Sequence, residues 1–234
     1  MSVKNIIEMK NLYKSYYLET GEEVPVLKGI NLKIKQNEFI AIMGESGSGK
    51  STLLNIIGFL HSLTSGEYIL EGDDVSKIKD DETLSFIRSK KIGFIFQQFY
   101  LLPRLNSLEN ITLPAIYAGI GFQNRNKKAM ELLQKLGLQD KLNSYPGELS
   151  GGQQQRIAIG RSLINSPEIL LADEPTGNLD SKTTSEVMEL IKEVKTSGKT
   201  VIMVTHAKNV ALYADRIIFL KDGKVIDDDY KLDK

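Results

Sequence analysis

The amino-acid sequence predicts an α/β fold with a mostly parallel sheet, an antiparallel β subdomain at the N-terminus and an inserted helical lobe. Three observations lead to this prediction. Short apolar or alternating runs, separated by glycine and asparagine, dominate the first third of the chain and are typical of strands. The middle of the chain has helical periodicity instead. Beyond residue 152, helices and strands alternate, which indicates parallel strands joined by right-handed crossovers.

The predicted elements follow one another without internal repeats. Strands are predicted at residues 6–9, 24–27, 30–34, 39–43 and 68–70. Apolar residues recur with helical spacing at 84–87, 108–117 and 130–136. The later elements are helix 153–164, strand 169–172, helix 181–195, strand 200–204 and a hairpin at 217–226 with its turn at Asp222 and Gly223.

The composition excludes several classes of function. The 30 Lys and Arg residues balance the 30 Asp and Glu residues, which argues against binding nucleic acid through bulk charge. The absence of cysteine excludes disulfides, thiol nucleophiles and thiolate metal sites, and it suits a reducing compartment. No apolar run has the features of a signal peptide or the ~18 to 20 residues of a spanning helix. We therefore expect a cytoplasmic protein with no nucleic-acid partner, and any function at a membrane would require another subunit.

A phosphate-binding loop follows the predicted strand 39–43. Residues 44–51 have the sequence Gly-Glu-Ser-Gly-Ser-Gly-Lys-Ser, which is the pattern G-x-x-x-x-G-K-[ST] between a buried strand and an apolar helix. The glycines let backbone N–H groups face the phosphates, Lys50 adds a positive charge, and Ser51 offers a hydroxyl ligand to Mg²⁺. The predicted nucleotide-binding residues of this P-loop core are Gly44, Ser46, Gly47, Ser48, Gly49, Lys50, Ser51 and Thr52.

Two carboxylates end the apolar strand 169–172. A buried strand carries Asp173 and Glu174 to the sheet edge where ligands bind. We expect Asp173 to hold Mg²⁺ and Glu174 to orient or deprotonate the attacking water. Two acids after a strand are by themselves more often a helix cap on the solvated surface, so this prediction depends on the phosphate loop.

A second anion-binding segment lies at residues 149–153, Leu-Ser-Gly-Gly-Gln, immediately before a helix. Because the chain has a single phosphate loop with a lysine, this segment is expected to serve the nucleotide of another chain. The alternative is that Ser150 merely caps the helix.

Since the motifs lie on both sides of residues 81–160, these residues are expected to form the inserted lobe of a single domain, with 1–80 and 161–234 as its core.

The sequence resembles the ATP-binding cassette subunits of ABC transporters over essentially its whole length. Leu-Ser-Gly-Gly-Gln is the signature of that family, and the other motifs stand in the family's order. They are the phosphate loop at 44–51, the Q-loop glutamine Gln97, the Walker B strand at 169–174, the D-loop at 177–180 and the switch histidine His206. The resemblance implies two copies of the chain that enclose two Mg-ATP, with a core of the RecA type.

The resemblance also assigns roles to individual residues. Tyr16 matches the aromatic residue that stacks on adenine, and Gln97 would sense the attacking water and ligate Mg²⁺. His206 would hydrogen-bond the γ-phosphate, while His61 fits no metal spacing and is expected at the surface. The residues expected to contact the nucleotide across the dimer are Ser150, Gly151, Gly152, Gln153 and Asp180.

Segments 93–99, 101–111 and 173–181 narrow the resemblance to the free-standing ATPases of lipoprotein-release, macrolide-efflux and antimicrobial-peptide transporters. Such ATPases lie on the inner face of the cell membrane beside a separate permease. The apolar residues expected to dock this permease follow Gln97 and are Phe99, Tyr100, Leu101 and Leu102. The alternative is that they belong to the core of the helical lobe.

Two other functions are compatible with cassette motifs. A division-associated cassette ATPase would use the same cycle to signal through a membrane partner without moving a substrate, and the sequence barely separates it from a transporter subunit. Chromosome-maintenance cassettes need a long coiled coil between phosphate loop and signature. Residues 52–149 lack sustained heptads, so this second class is disfavoured.

Overall fold

The computed structural model describes residues 4–232 and divides into two compact units. The first unit is Met1–Leu84 with Thr200–Lys234, and the second is Ser85–Lys199. In chain order the elements are β1 Asn5–Tyr17, β2 Glu23–Lys35, β3 Phe39–Met43, α1 Lys50–Ile57, β4 Ser65–Leu70, β5 Asp73–Asp74, α2 Asp81–Lys91, β6 Ile92–Phe96, α3 Ser107–Tyr117, α4 Phe122–Lys135, α5 Gly151–Leu163, β7 Ile169–Asp173, α6 Ser181–Thr196, β8 Thr200–Val204, α7 Lys208–Ala211, β9 Arg216–Lys221 and β10 Lys224–Asp227. No helix among the described residues is long and apolar enough to cross a membrane.

An antiparallel sheet with the order β2-β1-β4-β5 forms the N-terminal part of the first unit. The two strands predicted at 24–27 and 30–34 are in fact one strand, β2, because Gly29 lies inside it at a register irregularity. Gly29 has φ +76°, and a Cβ there would lie 3.0 Å from the hydroxyl of Tyr13. The glycine therefore permits a bulge and a close approach of β1 where the sequence predicts a strand end.

The first unit also contains parallel strands. β3 lies between β8 and β9 and is parallel to both, and β10 pairs with β9 in the predicted hairpin. All five residues of β3 and of β8 are buried, as expected of strands covered on both faces. Asp222 and Gly223 have φ of +48° and +80°, so the hairpin turn has the conformation that an Asp-Gly pair predicts.

A partly buried ion pair anchors the start of β3 to β9. The Arg216 guanidinium donates to both carboxylate oxygens of Glu38, with distances of 2.7 Å from Nε and 3.2 Å from Nη2. We expect Glu38→Ala to lower the free energy of unfolding by about 2 to 3 kcal/mol, because the partly buried guanidinium loses its nearest carboxylate and keeps only the more distant one of Asp228, at 3.7 Å. Urea denaturation measures this loss. The control is Glu67→Ala, which breaks a half-exposed pair with Lys10 and should cost less than ~1 kcal/mol; equal losses would contradict the prediction.

The second unit combines most of α2 and the helices α3 to α6 with a pair of parallel strands, β6 and β7. Helix α5 packs against α3 and β6 and ends close to its predicted position. It begins at Gly151 rather than at residue 153, because the side chain of Ser150 caps its first turn. The predicted helix 181–195 and strand 169–172 are confirmed as α6 and β7. The predicted lobe boundaries at 81 and 160 stay a prediction.

Candidate functional site

The phosphate loop leaves β3 and enters α1 through three glycines with positive φ. Gly44, Gly47 and Gly49 have φ of +150°, +79° and +101°. A Cβ on Gly44 would lie 2.1 Å from the carbonyl oxygen of Leu220, and one on Gly49 would lie 2.8 Å from a methyl group of Leu27. Only glycine fits these positions, and the loop is held in one conformation between β9 and β2.

Two polar side chains of the phosphate loop face inward. Lys50 Nζ donates to the carbonyl oxygens of Gly44 and Glu45 at 2.9 and 2.7 Å, so its ammonium lies over the loop. The Ser48 hydroxyl is buried and has no hydrogen-bond partner within residues 4–232. A buried hydroxyl without a partner, an ammonium and the first turn of a helix are donors of the kind that bind anions, and the anion site itself stays a prediction.

His206 and the phosphate loop lie at the same edge of the parallel strands. Ile42 in β3 pairs with Val204 in β8, and each strand ends within one residue of this pair. The backbone N–H of Thr205 donates to the carbonyl of Ile42 at 3.2 Å, so the two chain segments leave the sheet together. The exposed His206 follows directly, and its place beside the phosphates stays a prediction.

Tyr16 lies at the end of β1 and is 36% exposed. It pairs with Val24 in β2, and a Cβ added to Gly49 of the phosphate loop would lie 3.5 Å from a methyl carbon of Val26, two residues further along that strand. The end of β1 that carries Tyr16 is thus paired with the part of β2 that lies beside the loop. His61 is exposed as expected, but its Nδ1 lies 2.9 Å from the Tyr16 hydroxyl, a contact that the sequence does not predict.

The predicted acids and the Q-loop glutamine meet within the second unit. Phe96 in β6 pairs with Asp173 in β7, so Gln97 and Glu174 follow side by side at the ends of parallel strands. Glu174 has φ +46°, a conformation that is uncommon for a residue other than glycine.

The Q-loop and the D-loop are joined by hydrogen bonds that sequence reasoning missed. Gln97 Nε2 donates to the Asn178 side chain at 3.3 Å, and Asn178 Nδ2 donates to the Gln97 carbonyl at 3.0 Å. A Cβ on Gly177 would lie 2.6 Å from Gln97 Nε2, so any larger residue at position 177 would clash with the glutamine side chain. The buried Gln155 of α5 donates to the carbonyl of Pro175. A glutamine on the apolar face of a predicted helix is the one signal in the sequence that could have indicated a buried polar contact at Gln155.

The signature segment is the N-terminus of α5. Ser150 Oγ accepts from the Gln153 N–H at 3.3 Å, and the Gln153 side chain accepts from the Ser150 N–H at 2.9 Å, which is a capping box. A Cβ on Gly152 would lie 2.4 Å from a methyl group of Thr183, so α5 and α6 approach closely here. Ser150 therefore does cap the helix, as one of the two alternatives drawn from the sequence predicts. The same serine is the residue that the other alternative assigns to the anion.

Asp180, another predicted nucleotide contact, caps α6. Its carboxylate accepts from the Thr183 hydroxyl at 2.6 Å and from the backbone N–H groups of Lys182 and Thr183 at 3.0 Å. These hydrogen bonds, that from the Thr183 hydroxyl first, lower the pKa of Asp180. The carboxylate is thus ionised at neutral pH and oriented by the start of its own helix.

Comparisons with known proteins agree with this geometry. A family model described as "ABC transporter" matches residues 27–177. The uncharacterized ABC transporter ATP-binding protein YvrO of Bacillus subtilis is 50% identical over 224 residues, which cover 96% of this chain and 97% of that protein. The macrolide export ATP-binding/permease protein MacB of Mannheimia succiniciproducens is 52% identical over 227 residues. The chain spans only 35% of that longer protein.

Solved structures support the same assignment. The dimeric structure of MJ0796, described as a bacterial ABC transporter cassette, has a TM-score of 0.86 and 49% identity, with 95% of this chain and 97% of that chain covered. A dimeric post-hydrolysis state of MJ0796 bound to ADP and Pi has a TM-score of 0.86 and 48% identity. These matches confirm the predicted fold class. The chain belongs to the ABC transporter family, as one of its ATP-binding cassettes.

Proposed function

We propose that this chain is the ATP-hydrolysing motor subunit of an ABC transporter, which dimerises around two Mg-ATP and drives a separate membrane permease. The phosphate loop carries the proposal, because it combines the Lys50 ammonium and the buried Ser48 hydroxyl with two glycines, Gly44 and Gly49, at which a Cβ would not fit. Residues 1–80 and 161–234 would be the core and 81–160 the lobe. The chain would lie on the cytoplasmic face of the membrane, bound to the permease.

The donor set fits Mg²⁺ held mainly by the nucleotide. No group of three or more His, Cys, Asp or Glu side chains within the described residues forms a metal site of its own. Mg²⁺ prefers oxygen ligands and is commonly bound by one or two protein groups together with phosphates. The Ser51 hydroxyl, the Asp173 carboxylate and the Gln97 amide oxygen are the ligands we assign. When bound, the ion would neutralise charge that develops on the phosphates.

The remaining groups act on the attacking water and the phosphates. Glu174 accepts the proton of the water, since its carboxylate directly follows β7 and Asp173, the other carboxylate there, is assigned to Mg²⁺. Gln97, held by Asn178, orients that water, and His206 donates a hydrogen bond to the γ-phosphate. Ser150 and the N-terminus of α5 contact the γ-phosphate bound to the partner copy, because a helix N-terminus carries partial positive charge and free N–H groups that favour a phosphate.

The permease would dock on the segment that follows the Q-loop. Tyr100 and Leu102 are 59% and 44% exposed, so they are not part of the core. The Arg161 guanidinium donates to the carbonyl oxygens of Phe99 and Tyr100, both of which have positive φ, and burial lowers the pKa of this arginine. Beside Tyr100 lies a mostly apolar cleft of about 470 Å³. A short amphipathic helix of the permease would fill it.

Substitution of the docking residues tests this part of the proposal. We expect the double variant Tyr100→Ala, Leu102→Ala to lose co-purification with the permease encoded in the neighbouring reading frame. ATPase activity of the isolated chain should stay within about a factor of three, because the change at the nucleotide site is worth less than ~1 kcal/mol. The control is Phe122→Ala, an equally exposed aromatic residue on α4 that should leave co-purification intact. Retained co-purification, or unfolding of the double variant, would reject the assignment.

A further inference from the structure

Tyr16 is held by two neighbours in the first unit. Its hydroxyl lies 2.9 Å from His61 Nδ1, and the two rings meet edge to face with centroids 5.9 Å apart. The Lys14 ammonium lies over one face of the tyrosine ring, 4.8 Å from its centroid. One edge and one face of the ring are thus in contact with protein, and these contacts limit the rotation of a side chain that is otherwise exposed.

His61 is in turn fixed to the phosphate-loop helix. The backbone N–H groups of Leu60 and His61 donate to the carbonyl of Asn55 at 2.8 and 3.3 Å, and Asn55 belongs to α1. Because α1 starts at Lys50, this chain of contacts joins the residue that faces the phosphates to the ring of Tyr16. His61 is therefore anchored, through backbone hydrogen bonds, to the helix that begins at the phosphate loop.

Further hydrogen bonds attach the segment 60–64 to β1. Lys14 Nζ donates to the carbonyl of Ser62 at 2.7 Å, and the N–H of Thr64 donates to the carbonyl of Tyr13 at 2.8 Å. The N–H of Ser15 donates to the Thr64 hydroxyl at 2.9 Å. Four successive residues of β1 are thus connected with the segment after α1, and His61 provides the contact that reaches the tyrosine hydroxyl.

We propose that His61 is a positioning residue for nucleotide binding: its Nδ1 holds the Tyr16 hydroxyl, so that the ring face opposite Lys14 is presented to the adenine base. This inference rests on the proposed function, in which Tyr16 stacks on adenine. His61 itself does not contact the nucleotide. The hydrogen bond with His61 already restricts the Tyr16 side chain before adenine binds. Less conformational entropy is then lost on binding, which is how preorganisation raises affinity.

Steady-state kinetics on single variants tests the proposal. We expect His61→Ala and Tyr16→Phe each to raise the KM for ATP about 3- to 10-fold, the range expected for one hydrogen bond. Their combination should raise it no further than the larger single effect, because both remove the same bond. His61→Ala should leave kcat within about twofold. His61→Asn should restore most of the lost affinity, since its amide occupies the place of Nδ1.

A phosphate ligand that lacks the adenine base distinguishes positioning of Tyr16 from a general structural role of His61. Inorganic tripolyphosphate competes for the phosphate loop but offers nothing to Tyr16, so His61→Ala should leave its inhibition constant unchanged within about twofold. Three results would overturn the proposal. They are an equal rise in the inhibition constant of tripolyphosphate in His61→Ala, a matching fall in its kcat, and a KM for ATP in His61→Asn that is as high as in His61→Ala.

The variant Tyr16→Ala distinguishes this inference from the function on which it rests. If Tyr16→Ala leaves the KM for ATP unchanged, the assignment of Tyr16 to adenine is wrong and the positioning role falls with it. If Tyr16→Ala raises the KM while His61→Ala and Tyr16→Phe do not, the stacking assignment survives and only the positioning role is rejected. Thermal unfolding of each variant shows whether it is folded before these comparisons are made.

Discussion

Glu174→Gln should reduce ATP turnover by about 10² to 10⁴ while ATP binding survives. Losing a general base typically costs this factor, and glutamine keeps the size and polarity of the side chain without accepting a proton. The position supports this role, because Glu174 directly follows β7 in a left-handed conformation and adjoins Gln97 across a parallel strand pair. Phosphate release from Mg-ATP measures the effect. Glu189→Gln, on the exposed face of α6, is the control and should retain normal turnover.

The same variant should accumulate as an ATP-bound dimer, since hydrolysis is the step that would separate the two copies. Gel filtration with and without ATP measures the dimer. Adding Ser150→Arg should prevent it, because a bulky side chain would occupy the N-terminus of α5 where the partner's phosphate is expected. A monomer at every ATP concentration, both with and without the permease present, would refute the shared site.

Lys50→Ala should abolish measurable turnover and weaken ATP binding by about 100-fold or more. Removing one member of a close charge pair commonly costs 2 to 5 kcal/mol, and each ~1.4 kcal/mol is a tenfold change in affinity. The structure adds a second reason: Lys50 Nζ also holds the carbonyl oxygens of Gly44 and Glu45, so the variant loses part of the loop's own support. Titration calorimetry with ATP measures the affinity.

The control for this variant is Lys77→Ala. Lys77 forms a surface ion pair with Asp74 at 2.9 Å, three residues away, and lies outside every motif. Its removal should leave both ATP affinity and turnover unchanged. If Lys50→Ala binds and hydrolyses ATP as well as Lys77→Ala does, residues 44–51 are not the nucleotide site.

The sequence predicts those parts of the fold that depend on local patterns. The buried strand β3, the phosphate loop and the Asp222-Gly223 turn each have a residue pattern with one stable local structure. The division of β2 at Gly29 was wrong, because a glycine that ends a strand and one that permits a bulge look alike in sequence. The choice between them depends on Tyr13 from the neighbouring strand.

The site contacts that escaped prediction depend on residues far apart in the chain. Gln97 and Asn178 are 81 positions apart, and Tyr16 and His61 are 45 positions apart. No periodicity or motif indicates which polar side chains at two distant strand or helix ends will meet. Only the packing of the elements brings them within hydrogen-bond distance, so these pairs could not be predicted from sequence alone.

The capping box at the start of α5 determines which side chain can serve at position 150. One of the two lone pairs of the Ser150 hydroxyl oxygen accepts from the Gln153 N–H, and in the proposed site the hydroxyl proton is donated to a phosphate oxygen. Aspartate caps helices as well as serine does, yet it has no proton to offer and would bring a negative charge toward a phosphate. In the proposed site, the hydroxyl of Ser150 both accepts a hydrogen bond from the helix and donates one to the phosphate. An aspartate could cap the helix but could not donate to the phosphate, so position 150 requires a hydroxyl.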